Sequence, residues 1–264
     1  MTGASSGIGL ALARHYLERG ATVAACARRA ELLQTLSAEF PDKVFCYALD
    51  VRDAAAIRAA ASDFMARAGV PDIVIANAGV SCGTLTEYVE DEEVFQSVMD
   101  INVLGIVKTF QPFLAAMRSK PPLPPGEDWG GEKRFAPTLV GIASVAGLRG
   151  LPGSGAYSAS KAAAISYMES LRVELYGSGV KVVTLCPGYI KTPMTDINTY
   201  PMPFILDADM AAKRMARVIE RGTSFAVVPW QMGLVGWVMQ HLPNWLYDRL
   251  FANAPHKSRN VKLD

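Results

Sequence analysis

Tyr157 and Lys161 lie one helical turn apart in a stretch with helical spacing, so both side chains project from one face. Ser144 precedes them, just after a predicted strand. A phenol, an ammonium and a hydroxyl suit one kind of chemistry: giving a proton to a carbonyl oxygen as it becomes an alkoxide, or taking it back in reverse. A free phenol is a weak acid near neutrality, with a pKa of ~10. An ammonium ~4 Å away is worth ~4 kcal/mol at an effective dielectric of ~20. That corresponds to ~3 pKa units, which would bring the phenol close to neutrality. The Ser144 hydroxyl can hold the carbonyl oxygen in line. Taken singly, each residue has a plainer use: tyrosine for packing, lysine on a solvated face, serine ending a strand. The combination carries the weight.

A hydride carrier would complete this chemistry without a metal. The stretch Thr2-Gly3-Ala4-Ser5-Ser6-Gly7-Ile8-Gly9 opens a predicted helix. Glycines there let the backbone approach a pyrophosphate, and the helix start offers free N–H groups and a positive dipole end. By itself a glycine-rich turn is as often structural as functional. The second strand ends in Arg28-Arg29. NAD-preferring folds place an Asp or Glu near this point for the ribose 2′-OH, whereas guanidinium groups suit a 2′-phosphate. Arg28 and Arg29 therefore favour NADP(H), with NAD(H) still admissible; the plainer alternative is a solvated helix start.

The elements that must position these groups alternate. Helical spacing covers Ile8–Arg19, Ala30–Phe40, Ala54–Arg67, Glu92–Arg118, Ala156–Tyr176 and Ala208–Glu220. Apolar runs predict strands over Thr22–Ala27, Val44–Leu49, Ile73–Ala76, Thr138–Ala143, Lys181–Cys186 and Phe225–Val228. This alternation predicts an α/β fold of Rossmann-like type, a doubly wound parallel sheet with helices on both faces, as one domain over 1–264. Ligands sit at the C-terminal ends of such strands. Lys120–Pro137 reads as a surface loop. Pro201–Asp207, within a substrate-loop region over 190–220, reads as part of a mobile lid.

The 264 residues, 50% hydrophobic and 19% charged with a net charge of +1, describe a globular chain with no global pull toward nucleic acid. Cys26, Cys46, Cys82 and Cys186 are dispersed, without a CxxC pair, and read as reduced, buried thiols of a cytoplasmic protein. The scattered His15, His241 and His256 give no metal site. No secretory signal is read at the start, and no apolar run reaches the ~18 residues of a membrane span.

From Thr2 to about Thr195 the chain resembles the short-chain dehydrogenase/reductase family. The matching stretches are TGASSGIG (Thr2–Gly9), LDV (Leu49–Val51), NAG (Asn77–Gly79), INVLG (Ile101–Gly105), SVAG (Ser144–Gly147), YSASK (Tyr157–Lys161) and PGYIKTPM (Pro187–Met194). The resemblance implies an oxidoreductase acting on a carbonyl or alcohol, with Asn102, Ser144, Tyr157 and Lys161 as its catalytic set. It implies that Gly3, Ser5, Ser6, Gly7, Ile8 and Gly9 cradle the diphosphate and that Arg28, beside Arg29, selects the 2′-phosphate. Asp50 and Val51 would border the adenine, and Asn77, Ala78 and Gly79 would line the cofactor. Asn102 would kink its helix and hold a relay water to Lys161, which would also bind the nicotinamide ribose. Pro187, Gly188, Ile190 and Thr192 would contact the nicotinamide end. The helices Glu92–Arg118 and Ala156–Tyr176 would pair across a dimer axis in a homodimer or homotetramer.

Three features depart from the family pattern. Family members carry an apolar strand before the glycine turn, whereas only Met1 precedes Thr2 here; its loss would leave two inner strand edges unpaired. The Lys120–Pro137 connection is long. The apolar segment over 230–252, with Trp230, Trp237 and Trp245, is followed by Lys257, Arg259 and Lys262. It reads as a helix over the pocket or in an oligomer interface, and alternatively as an interfacial helix making peripheral membrane contact. Met194, Tyr189, Ile205 and this segment suggest a hydrophobic substrate. The competing functions are a silent NADP-binding sensor or scaffold and a membrane-surface lipid ketone reductase.

Overall fold

The computed structural model describes residues 1–120, 136–198, 200–254, 256, 257 and 259. Strand and helix alternate as α1 (Gly7–Glu18), β1 (Val23–Ala27), α2 (Ala30–Glu39), β2 (Val44–Ala48), α3 (Ala54–Ala68) and β3 (Ile73–Ala76). Then come α4 (Asp91–Met99), a π turn (Asp100–Leu104), α5 (Gly105–Arg118), β4 (Thr138–Ile142), α6 (Gly155–Glu174) and β5 (Lys181–Pro187). The short β6 (Ile190–Lys191), α7 (Pro193–Asp196) and β7 (Leu206–Asp207) lead to α8 (Ala208–Arg221), β8 (Phe225–Val228), α9 (Trp230–His241) and α10 (Asn244–Phe251). This is a Rossmann-like α/β architecture whose strand pairings are parallel.

The central strands read as nearly continuous apolar runs because both faces are covered. Side chains alternate between two cores. Ile75, Val140, Val183 and Leu185 pack with Leu12 of α1 and Met215 and Ile219 of α8. Val74, Leu139 and Val182 point the other way, onto Ile106 and Phe110 of α5 and Met168 and Leu171 of α6. Truncating a side chain as enclosed as Phe110 (1% exposed) costs roughly 3–5 kcal/mol.

The sheet falls into two pieces, β1-β2 and β3-β4-β5-β8, joined by Met1–Ala4. Cys26 N donates to Met1 O at 2.9 Å, Ala4 N to Cys26 O at 3.2 Å, and Thr2 N to Ile75 O at 3.0 Å. The terminal ammonium donates to Ala24 O at 2.7 Å, and its burial lowers its pKa. The two inner edges expected to lie bare are thus bridged toward the strands' C-terminal ends, and among the described residues no strand pairs with both β1 and β3.

Four expectations change in detail. The single helix predicted over Glu92–Arg118 is two α-helices around the π turn, where Asn102 sits. The segment 230–252 is two helices, parted at Leu242-Pro243, where proline cannot supply the N–H that would continue α9. Cys82 and Cys186 are buried free thiols, whereas Cys46 is exposed on β2, which among the described residues pairs only with β1, and Cys26 is half-buried. The lid segment is anchored rather than wholly loop, since β7 pairs with β6. Residues 121–135 of the long loop lie outside the described residues.

The C-terminal helices are tied to the body by Arg149. It donates to the carbonyl oxygens of Met239 and Leu242 and to Asn244 Oδ1, a cation at the negative end of α9. Its guanidinium also stacks 4.0 Å from the Tyr247 ring centre. Gly236 lets Leu148 seat against α9, since a Cβ there would lie 2.4 Å from Leu148 Cδ1. Trp230, Leu234, Trp237, Trp245 and Leu250 remain exposed. Among the described residues no helix is long and apolar enough to cross a membrane, and no cluster of His, Cys, Asp or Glu could hold a metal ion.

Candidate active site

A cleft of about 550 Å³ opens where β1, β3, β4 and β5 end. One end is the glycine turn. Gly3 and Gly7 adopt φ of +66° and +54°, the left-handed region that glycine enters without strain. Ser6 precedes α1 but makes no side-chain capping bond, so the first-turn N–H groups are left for another acceptor. Gly3, Ser5, Ser6, Gly7 and Ile8 line the cleft. Gly9 stands behind that wall: a Cβ there would lie 2.1 Å from Gly3 O and 2.5 Å from Asn77 Nδ2. Asn77 fixes the turn by donating to Thr2 O at 3.2 Å and Gly3 O at 3.1 Å.

Arg28 and Arg29 reach the same end. The Arg29 guanidinium donates to Ser5 Oγ at 3.2 Å and Ser6 Oγ at 3.0 Å, so it overhangs the turn. Asp50 and Val51 form the side wall. Despite partial desolvation, hydrogen bonds from the Arg52 side chain and backbone, and the Arg52 and Arg28 charges, hold the Asp50 carboxyl below its ordinary pKa. Ala78 and Gly79 continue the wall from β3, and Pro187, Gly188, Ile190 and Thr192 close it from beyond β5. Thr192 packs over Gly7, where a Cβ would meet its methyl at 3.1 Å.

Ser144, Tyr157 and Lys161 meet at the middle of the cleft. The Ser144 side chain accepts from Ala146 N at 3.1 Å and lies close enough to the Tyr157 phenol to favour its ionised form. Lys161 is 4% exposed; its ammonium donates to Ile142 O at 2.9 Å and lies 5.8 Å from the Tyr157 ring centre. Gly147 lets the loop after β4 press on this helix, since a Cβ would lie 2.5 Å from the Lys161 backbone. The phenol is not drawn down here as the sequence argument expected. Burial pushes it up, against the influence of Ser144, and burial lowers Lys161 to about 8. The Lys161 ammonium is turned to the Ile142 carbonyl.

Asn102 is fully buried outside the cleft wall. Its amide donates to Val80 O and Ser160 Oγ, both at 2.9 Å, and its Oδ1 accepts from Val80 N at 2.8 Å. These bonds tie the π turn to the loop after β3 and to the Tyr157 helix.

The far end of the cleft was only partly foreseen. Tyr189 and Met194 line it, but Ile205 does not. Leu151, Tyr200, Phe251 and Lys257 do, and no motif marks them. The aromatic density of the C-terminal segment was the one available signal.

The comparisons agree with this geometry. Residues 1–200 match the family model described as short chain dehydrogenase. An uncharacterized oxidoreductase of Myxococcus xanthus is 38% identical over 251 residues, spanning 94% of this chain and 93% of its own. A 2-(R)-hydroxypropyl-CoM dehydrogenase of Xanthobacter autotrophicus is 37% identical over 203 residues, 74% of this chain and 75% of its own. A short chain dehydrogenase from Burkholderia cenocepacia, solved in complex with NADP, superposes with a TM-score of 0.78 at 25% identity over 96% of both chains. The chain belongs to the short-chain dehydrogenase family. It is an oxidoreductase of the kind that interconverts CH–OH and C=O with a nicotinamide dinucleotide.

Proposed function

We propose that the chain is an NADP(H)-preferring reductase or dehydrogenase of a carbonyl or secondary alcohol, with Tyr157 as its acid/base. The observation that carries this is the grouping of Tyr157 with Ser144 and Lys161 in one cleft that is also lined by the glycine turn and two arginines. A bound nicotinamide dinucleotide supplies or accepts the hydride. Gly3–Ile8 fit its diphosphate, because the missing Cβ atoms and uncapped N–H groups form an anion cradle. Arg28 and Arg29 suit a 2′-phosphate.

In reduction the Tyr157 hydroxyl gives its proton to the carbonyl oxygen, and Ser144 Oγ holds that oxygen in place. Lys161, protonated below about 8, stabilises the phenolate left behind. Asn102 holds the π turn against the Tyr157 helix and would keep a relay water near Lys161. The chain is read as one domain that works as a homo-oligomer in the cytoplasm. Phe95 and Leu104 beside the π turn and Val173 and Tyr176 at the end of α6 are exposed, which suits helices meeting a second copy.

The test is NADPH oxidation with a panel of ketones and aldehydes. Tyr157→Phe is expected to lower kcat/KM about 10²- to 10⁴-fold while NADPH still binds. Unchanged turnover in that variant would remove the assignment.

A further inference from the structure

The cleft that holds Tyr157 also contains a cation that has no carboxylate partner among the described residues. Lys257, from the C-terminal tail, lines the cleft beside Tyr157. Its ammonium donates to the buried Ser81 hydroxyl and lies 4.9 Å from the Tyr157 ring centre. Among the described residues no carboxylate forms an ion pair with it. A largely enclosed ammonium given only a hydroxyl and an aromatic face is under-compensated, and burial lowers its pKa.

The tail is held so that this lysine points inward. Arg259 pairs with the buried Asp91 at 2.9 Å and stacks 3.4 Å from the Tyr88 ring centre. Cys82 Sγ donates to Arg259 O at 3.2 Å. On the other side His256 packs on Gly153, where a Cβ would lie 2.5 Å from the ring. Gly153 also has φ +67°, so its lack of a side chain serves both the turn and the approach of the tail. The cleft that Lys257 lines also has the apolar or weakly polar Leu151, Pro152, Tyr200 and Phe251 in its wall.

We propose that Lys257 and Ser81 form an anion-recognition site for the substrate, and that the enzyme acts on oxo- or hydroxycarboxylates with an apolar chain and the carboxylate a few bonds from the reacting carbon. This rests on the reading of Tyr157 as acid/base and narrows the substrate class for that same site. The carboxylate completes the ammonium's bonding, the apolar wall takes the chain, and the carbonyl oxygen falls to Tyr157 and Ser144. No further reactant enters: hydride and proton move as in the parent reaction, and the carboxylate is unchanged.

The experiment compares 4-oxopentanoate and 5-oxohexanoate with their methyl esters, using wild type, Lys257→Met and Lys257→Arg with NADPH. Wild type is expected to favour acid over ester in kcat/KM by about 10- to 100-fold, the range for a charged hydrogen bond. In Lys257→Met the ratio falls to near one, and Lys257→Arg keeps most of it. Calorimetry on the dinucleotide-loaded protein adds a readout free of turnover: hexanoate should bind wild type at least tenfold more tightly than hexanamide, and Lys257→Met should not discriminate. Equal use of acid and ester by wild type, an equal loss for both in Lys257→Met, or hexanoate binding no better than hexanamide would each overturn the proposal. Failure of the parent reading looks different: Tyr157→Phe would turn over normally while carboxylate binding persisted.

Discussion

At the glycine-turn end of the cleft, the turn itself is one short stretch, Gly3 to Ile8, working mostly through its backbone and its lack of side chains, with Arg28 and Arg29 beside it. Elsewhere in the cleft, Leu151, Tyr200, and Phe251 with Lys257 come from three separate parts of the chain and work through their side chains. The first end is tied inward by Asn77 and the packing of α1. The second is held by a tail whose anchor is the Arg259–Asp91 pair. A surface proposed to fit an invariant diphosphate is built largely from a short backbone motif, whereas one proposed to fit a particular substrate is assembled from contacts distant in sequence.

The sharpest way to break this comparison is Gly9→Val. Its Cβ would collide with Gly3 O, so the variant should lose measurable NADPH binding in a fluorescence titration and at least about 3 kcal/mol of stability in a denaturant melt. A variant that bound normally would show that the turn does not depend on the close approach of α1. Next in size, replacing Arg28 and Arg29 together by Ala should weaken NADPH about 10- to 100-fold and NADH much less. Equal losses would remove the basis for the cofactor preference. Arg259→Ala should release the tail and raise KM for the oxo substrate several-fold while the NADPH Kd stays constant. A changed Kd would mean the two ends are not independent.

The smallest expected effect concerns pH. Burial lowers Lys161 from 10.5 to about 8, so between these values the unfolded chain binds more protons than the folded one. Stability owed to this group therefore rises with pH through that interval, by about 1 kcal/mol from pH 8 to 9. Cys186, raised to about 12 by burial, acts in the opposite sense above 9. The difference between wild type and Lys161→Met in melts at pH 7, 8 and 9 isolates the lysine. A flat difference would mean that Lys161 keeps its ordinary pKa.

The alternation of elements was legible because buried parallel strands must be apolar on both faces, as Leu139 and Val140 are. That the turn, the arginines and Tyr157 with its neighbours share one cleft was legible because backbone approach and the proposed proton transfer restrict residue type at fixed spacing. The inner seam was legible in the main: among the described residues no strand joins β1 to β3, and only its cleft end is bridged, by Met1–Ala4, which the sequence did not show. The electrostatics were misjudged, because spacing alone does not show that Ile142 O would claim the Lys161 ammonium. Lys257 was visible only as a charge after an apolar stretch; nothing local to it says that the tail returns to the Tyr157 ring.

Met1–Ala4 also carry a thermodynamic consequence. Thr2 Oγ1 accepts from Asn77 N and Ala78 N, while the neighbouring amides and carbonyls reach Ile75 and Cys26. The joint between the two sheet pieces is therefore the leading edge of the anion cradle. A dinucleotide gripping that cradle would act as a clamp on the sheet, and occupancy at 100 times Kd would add ~2.7 kcal/mol to unfolding. Amide exchange at Ala4 and Cys26, far slower with ligand than without, would report the clamp closing. The chain's resistance to unfolding would then track the supply of its redox partner.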